Sequence, residues 1–429
     1  MTIRDMLGRS GVVSREDALT SVYEHFVLPD LERETVHISH ALGRVAVEDV
    51  RSPVDLPDFN RSTVDGYAVS SGDTFGASEA HAAYLPIVAD IPMGSLPERD
   101  LAKGETMAIA TGGALPDGAD AVVMFEHTQP VDENHIEVVK PAAPLENVIQ
   151  IGDDVREGEV LISSGRVLRP QDMAMLAGVG ITTVTVFEQP RVAIISTGNE
   201  IIPADRRPTK GQVRDVNSYN LEGLITQAGG VPVKKGIIPD EYARLRTIVE
   251  ESARDCRLLL LTGGSSVGTA DLTAKVIDDL GPPGVLVHGV SVKPGKPLIA
   301  GLVKAVQGGA PVPVFGLPGH PAAVTVCFDL FVRPLLNRLR GESPKPVLRG
   351  RASYSVVKAK LARSVSSTPG REDHVRVVLE EREEELWARP VFGASGLIST
   401  LVKADGTVVI PVNEIGIEAE EEVEVRLFR

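Results

Sequence analysis

Two lysines three residues apart, Lys293 and Lys296, sit in the run GVSVKPGKP, bracketed by Pro294 and Pro297. Proline fixes φ, so the turn is stiff, and two ammonium groups on a stiff turn suit an anion with several oxygens. The run has the outline of a P-loop, but five residues separate Gly289 from Gly295 and Pro297 stands where Ser or Thr is required, so a Walker motif is rejected. By itself the run reads equally well as a solvated turn. In LTGGSSVGTADLT an apolar strand ends in glycines and a helix opens, the place where the backbone around Gly263, Gly264 and Ser265 can cradle phosphate. GGSSVG departs from the G-x-G-x-x-G spacing, which disfavours a dinucleotide site, and an ordinary turn capped by Asp271 is the competing reading.

VFGLPGHP sets Pro318 and Pro321 around Gly319 at a strand-to-helix junction, a stiff shelf that either positions a ligand or simply ends a buried strand. His320 on that shelf is a candidate general acid or base, with a structural role equally open. Asp65, Asp154, Glu200 and Asp240 lie in turn-like contexts, where each alone is an ordinary surface or capping residue. Together with Asp271 they offer the hard oxygen ligands that Mg²⁺ prefers when it bridges phosphates, with Glu200, Asp240 and Asp271 as the metal set.

These residues need elements to hold them. Ser14 opens a capping-box-like SRED, and Ala18, Leu19, Val22 and Phe26 follow on one helical face, predicting an amphipathic helix within 1–30 that packs on an α/β domain. Short β-like runs between Pro, Gly and Asp, including AVVMFEH and HIEVVK, predict a β-rich insert domain over 53–150. Residues 31–52 and 151–185 are expected to form one connecting subdomain. Over 186–340 apolar strands (RVAIIST, RLLLLTGG, VPVFGLPG) alternate with helical segments, the pattern of an α/β domain whose mostly parallel sheet gathers ligands at its carboxyl ends. Period-two runs over 341–429 predict a C-terminal β-barrel, making the chain a multidomain α/β plus β protein.

The formal charge of −15 speaks against a general nucleic-acid binder, although a local lysine pair can still hold a small anion. The first residues lack a secretory pattern, and the most apolar late window, 313–332, contains Pro318, His320, Pro321 and Asp329, which a membrane span tolerates poorly. Cys256 and Cys327, the two cysteines, form neither a disulfide framework nor a zinc cluster, so a cytoplasmic home is expected.

The segments LPDFNRSTVDGYAV, IATGGALPDGADAVVM, GDDVREGEVL, VAIISTGNEI, GQVRDVNSYNL, GIIPDE, TGGSSVGTAD, KPGKPL, GLPGHP and TPGREDH, in this order between residues 56 and 374, resemble the MoeA-type molybdopterin molybdenumtransferases and the E domain of gephyrin. The resemblance implies an elongated homodimer whose α/β domain has the molybdopterin-binding fold. It implies that molybdate triggers Mg²⁺-dependent cleavage of molybdopterin-AMP, releasing AMP and leaving the metal on the pterin dithiolene. Asp65 and Thr111 of one subunit would then face Glu200, Asp240, Asp271, Lys293 and Lys296 of the other, with Asp154 among the catalytic carboxylates. Lys293, Lys296, Arg371 and Ser395 match positions near the oxyanion. His320 and Ala323 stand where many relatives have Asn and Ser, and Ile149 where some have Arg, which leaves molybdate against tungstate open. An adenylyltransferase and recipient molybdoenzymes are the partner proteins implied. A molybdopterin adenylyltransferase and a non-catalytic dimeric scaffold are the rival functions.

Overall fold

The computed structural model describes residues 12–263, 267–304, 309–343 and 355–428. Helix α1 (Arg15–His25) begins where Ser14 Oγ accepts the Asp17 amide at 3.0 Å, and it buries Ala18, Val22 and Phe26 against the central sheet. Strands β1 (Arg33–His37) and β2 (Val50–Arg51) pair with β10 (Thr183–Phe187) and β9 (Val160–Ile162), enclosing a small core with helix α2 (Pro170–Gly178). Between them lies a six-stranded sheet in the order β6 (Ala121–Met124), β3 (Gly66–Val69), β5 (Thr106–Ile109), β4 (Ala83–Ile91), β8 (His135–Val138), β7 (Thr128–Asp132). The run AVVMFEH does not stay extended: after Met124 it turns into a 3₁₀ segment, Phe125–His127, and the Phe125 amide bonds the carbonyl of Asp65.

The central sheet runs β12 (Val231–Ile238), β11 (Arg191–Thr197), β13 (Leu258–Gly263), β17 (Val312–Leu317), β16 (Ile299–Val303), β14 (Gly284–His288). The first four strands are parallel, and β16 runs antiparallel to both its neighbours, β17 and β14. Both faces are covered, which is why these strands read as continuous apolar runs. Val192, Ile194, Leu258 and Leu260 pack with α1, α3 (Asn217–Gln227), α6 (Pro321–Cys327) and α7 (Arg333–Leu339). Ala193, Ile195, Leu259 and Leu261 pack with α4 (Tyr242–Asp255) and α5 (Val267–Leu280). The segment AAVTVCFDLFVRPLL is helical but not uniform: a π segment, Phe328–Val332, joins α6 to α7 just before Pro334. Proline has no N–H to donate and its ring crowds the preceding turn, which the wider π spacing accommodates.

Strands β19 (Glu372–Arg382), β20 (Glu385–Pro390), β18 (Val356–Leu361), β22 (Glu422–Leu427) and β21 (Gly406–Ile410) close into a barrel, since β21 pairs back to β19. Among the described residues no helix is long and apolar enough to cross a membrane. Cys256 and Cys327 are buried, and burial pushes both thiols up, Cys256 to about 11.

Candidate active site

The parallel strands end together, and the loops beyond them carry the chemistry. Thr197, at the end of β11, is in register with Ile238 on one side and Gly263 on the other. Glu200 follows β11 and Asp240 follows β12, and the Asp240 amide donates to Asn199 Oδ1 at 3.2 Å, so the two carboxylate loops adjoin. The Glu200 carboxylate folds back over Gly198, which has φ of +139°. Gly263 has φ of +140°, and a Cβ there would fall 2.7 Å from the Thr197 carbonyl carbon and closer still to its oxygen. Glycine is therefore a packing requirement at the strand's end. Gly264 and Ser265 lie outside the described residues. Asp271 does not cap α5: the helix starts at Val267, placing Asp271 in its second turn, partly buried.

Under these loops lies a polar layer that sequence reasoning did not single out. Asn217 Nδ2 donates to Thr262 Oγ1 at 3.0 Å and to the carbonyl of Gly319 at 2.9 Å, joining the end of β13 to the proline shelf. Asp215 accepts from Ser196 Oγ at 2.6 Å and from the Ser218 amide at 3.0 Å, holding the start of α3 against β11. The available signal was Asp215-x-x-Ser218 at a helix start, a spacing that favours capping.

The lysine run belongs as much to the barrel as to the α/β domain. Strand β15 (Val292–Lys293) pairs in parallel with β19, setting Lys293 opposite Asp373. Gly295 is buried against Cys327, whose Sγ donates to its carbonyl at 3.6 Å. The turn is thus anchored, while the Lys293 side chain remains 57% exposed. Asp373, 4% exposed, ion-pairs with Lys293 Nζ at 3.4 Å and accepts from Arg371 Nε and Nη2 at 2.8 and 3.3 Å. One buried carboxylate holds two cations side by side and leaves net positive charge facing outward. Lys296 is exposed on the same turn.

A second contact ties barrel to shelf. His320 Nδ1 lies 2.8 Å from Ser395 Oγ, and the Ala322 amide donates to the Ser395 carbonyl at 3.2 Å. Pro318 and Pro321 are buried beneath. Ala323 is buried as well. The structure therefore gathers Pro318, His320, Pro321 and Ser395 in one place, and Lys293, Arg371 and Asp373 in another, both at the seam between α/β domain and barrel.

Beside Asp373, Glu372 accepts from Arg15 Nη1 at 3.2 Å and pairs with His374 Nε2 at 2.8 Å. Burial pushes the Glu372 carboxyl up, but the His374 hydrogen bond and the charges of His374 and Arg15 outweigh it, leaving the carboxyl below its ordinary value of 4.5. A carboxylate lowered by folding contributes stability that is present above its unfolded value and lost as pH falls through the folded one. Acidification below about pH 4.5 is therefore expected to loosen this end of the barrel from α1, seen as faster amide exchange in β19. Glu372→Gln should lack that pH-dependent component; an identical profile in the variant would assign the loosening elsewhere.

Asp65 and Thr111 stand together in the β-rich domain. Asp65 Oδ1 accepts from the Thr111 amide at 2.7 Å and from Thr111 Oγ1 at 3.0 Å, and the amide bond holds the Asp65 carboxyl below the usual carboxylate range. Asp154 is exposed on a loop whose amide bonds the Leu56 carbonyl.

A doubly covered, mostly parallel sheet with carboxylate-bearing loops at its carboxyl end, joined through a lysine-bearing strand to a barrel, defines a multidomain protein of α/β and β parts. The family model described as a probable molybdopterin binding domain matches residues 193–338. The models of the MoeA N-terminal region (domain I and II) and the MoeA C-terminal region (domain IV) match residues 13–180 and 358–428. The molybdopterin molybdenumtransferase of Bacillus subtilis is 30% identical over 403 residues, covering 93% of this chain and 90% of that one. Two molybdopterin biosynthesis MoeA structures from Pyrococcus horikoshii superpose with TM-scores of 0.82 and 0.77, at 30% and 38% identity. They cover 97% of this chain and 100% and 99% of theirs. The chain belongs to the MoeA family of molybdopterin molybdenumtransferases, enzymes of molybdenum cofactor biosynthesis.

Proposed function

We propose that the chain inserts molybdate, or tungstate, into adenylylated molybdopterin with release of AMP, and that Mg²⁺ assists. The observation that carries this reading is the pair of cations, Lys293 and Arg371, fixed by one buried carboxylate at the same domain seam to which Ser395 and the proline shelf contribute a second cluster. Positive groups arranged before the ligand arrives stabilise an oxyanion at no further reorganisation cost. Lys293, Lys296, Arg371 and Ser395 hold the incoming oxyanion, Pro318, His320 and Pro321 shape the floor, and the backbone around Gly263, Gly264 and Ser265 receives the phosphate bridge.

Among the described residues no group of three His, Cys, Asp or Glu side chains could hold a metal by itself. Mg²⁺ commonly takes one or two carboxylates, with substrate phosphates and water completing its shell. One or two of Glu200, Asp240 and Asp271, the first two on adjoining loops, would supply those carboxylates, and the ion would neutralise phosphate charge. Asp65 and Thr111, with Asp154, come from the second subunit of a homodimer. Water attacks the phosphoanhydride, the P–O bond to the adenylate breaks, and AMP departs.

The deciding experiment measures AMP release from molybdopterin-AMP with molybdate or tungstate, with and without Mg²⁺. Release that needs an oxyanion and rises with Mg²⁺ is expected; none under any condition sinks the proposal. Formation of adenylylated product from molybdopterin and ATP would favour the adenylyltransferase instead.

Asp373 has a distinct part, positioning the cations. In Asp373→Asn the amide group presents a donor to Lys293 or Arg371, which loosens them while adding net positive charge. The kcat for AMP release is expected to fall about tenfold with KM for molybdate no higher, the split of an interaction needed in the transition state. A raised KM at unchanged kcat would assign Asp373 to ground-state binding only.

A further inference from the structure

The barrel has a cleft of about 690 Å³ that none of this chemistry uses, a size within the range of small-molecule sites. Arg363, Arg382, Arg389 and Lys403 line it together with Val391 and Phe392. On a chain of formal charge −15 this is a marked local excess of positive charge. Glu380 accepts hydrogen bonds from both Arg389 and Arg382, and those bonds keep its carboxyl below the ordinary glutamate range. None of the side chains that line the cleft is acidic, and Glu380, just outside it, offsets part of the cationic wall. Phe392 is 58% exposed, with the Arg363 guanidinium 5.5 Å from its ring centre, and Arg382 lies 5.4 Å from the ring of Trp387. Phe392 is on the loop that carries Ser395 to His320, so the cleft is continuous in the chain with the candidate active site.

Guanidinium forks match phosphate oxygens, and an exposed ring beside a cation suits a flat heterocycle. We infer that this cleft binds an aromatic phosphate, its ring against Phe392 and Arg363 and its phosphate taking Arg389 and Arg382 from Glu380, with Lys403 alongside. A nucleotide and a pterin phosphate share this chemistry; preferring AMP rests on the reaction proposed above, whereas the cleft's recognition chemistry does not.

Trp387 is the chain's single tryptophan, and a ligand that moves Arg382, 5.4 Å from its ring, is expected to change its emission. The full chain is titrated with AMP, a pterin monophosphate and inorganic phosphate. Saturable emission changes are expected with AMP, the pterin phosphate or both, and the two arms tell the sources apart. Binding should weaken by about tenfold in an Arg363→Ala, Lys403→Ala double variant, both side chains being exposed, and tighten in Glu380→Gln. Lys293→Ala should leave the titration unchanged. The inference fails if inorganic phosphate binds as well as either aromatic ligand, if neither produces a saturable change, or if Lys293→Ala abolishes the signal while the cleft variants keep it. Since none of these readouts uses turnover, an enzyme that releases no AMP in the assay above could still bind here, and the two failures remain distinguishable.

Discussion

Lys293→Ala should abolish molybdate-dependent AMP release, lowering turnover by about 10² to 10³, the ~3–4 kcal/mol that one preorganised donor to an oxyanion is worth. The fold has little to lose. The Lys293 side chain is 57% exposed, and it is the backbone of β15 that pairs with β19. Removing the ammonium leaves Asp373 and Arg371 as a neutral pair, so of the seam's positive charge only that of Lys296 remains where the anion would arrive. Melting curves and circular dichroism should match the parent, and near-normal turnover would remove Lys293 from the mechanism. Mixing Lys293→Ala with Asp65→Ala adds a test of the shared site. If the two residues meet across a dimer, mixed dimers contain one intact site and recover activity; no recovery after subunit exchange contradicts that arrangement.

Gly263→Ala is expected to be the most damaging small substitution for stability, at about 3 kcal/mol or more. Two costs act at once. The backbone at φ of +140° is one that a side chain strongly disfavours, and the new methyl would collide with the main chain of Thr197 on the neighbouring strand. Neither strand can move aside, because Leu259 and Leu261 of β13 and Ala193 and Ile195 of β11 are locked into one core, and Leu258, Leu260, Val192 and Ile194 into the other. Gly223 provides the control. It lies in α3 with nothing within 4 Å of an added Cβ, so Gly223→Ala should be neutral or stabilising by up to about 1 kcal/mol. Urea denaturation followed through an α/β-domain probe compares the two; equal midpoints would mean the strand end relaxes more freely than its packing implies.

The helix after β13 shows how a local rule can mislead. TADLT looks like a helix start capped by Asp271, yet the helix begins at Val267 and Asp271 projects from its second turn. Local propensity favoured the polar residue as a cap, but β13 ends at Gly263 against Thr197, a matter of sheet register, and the helix is already under way at Val267. The polar layer was missed for a related reason. Asp215 and Asn217 stand in the run GQVRDVNSYNL with no local mark of their role, and only the approach of Ser196, Thr262 and Gly319 makes them buried connectors.

What the sequence determined by itself is whatever depends on burial and local backbone chemistry. RVAIIST and RLLLLTGG are apolar throughout because a strand covered on both faces has no wet side, so the parallel α/β layer was legible, as was the alternating pattern of the closing barrel. Ordered motifs likewise made the family recognisable. The tertiary structure alone decided which charges share a partner: Lys293 and Asp373 are 80 residues apart, and His320 and Ser395 are 75 apart. No local propensity encodes those meetings, because each follows from how a whole barrel seats on a whole sheet. That docking turned a stiff lysine turn, ambiguous when read alone, into one side of an anchored cationic seam.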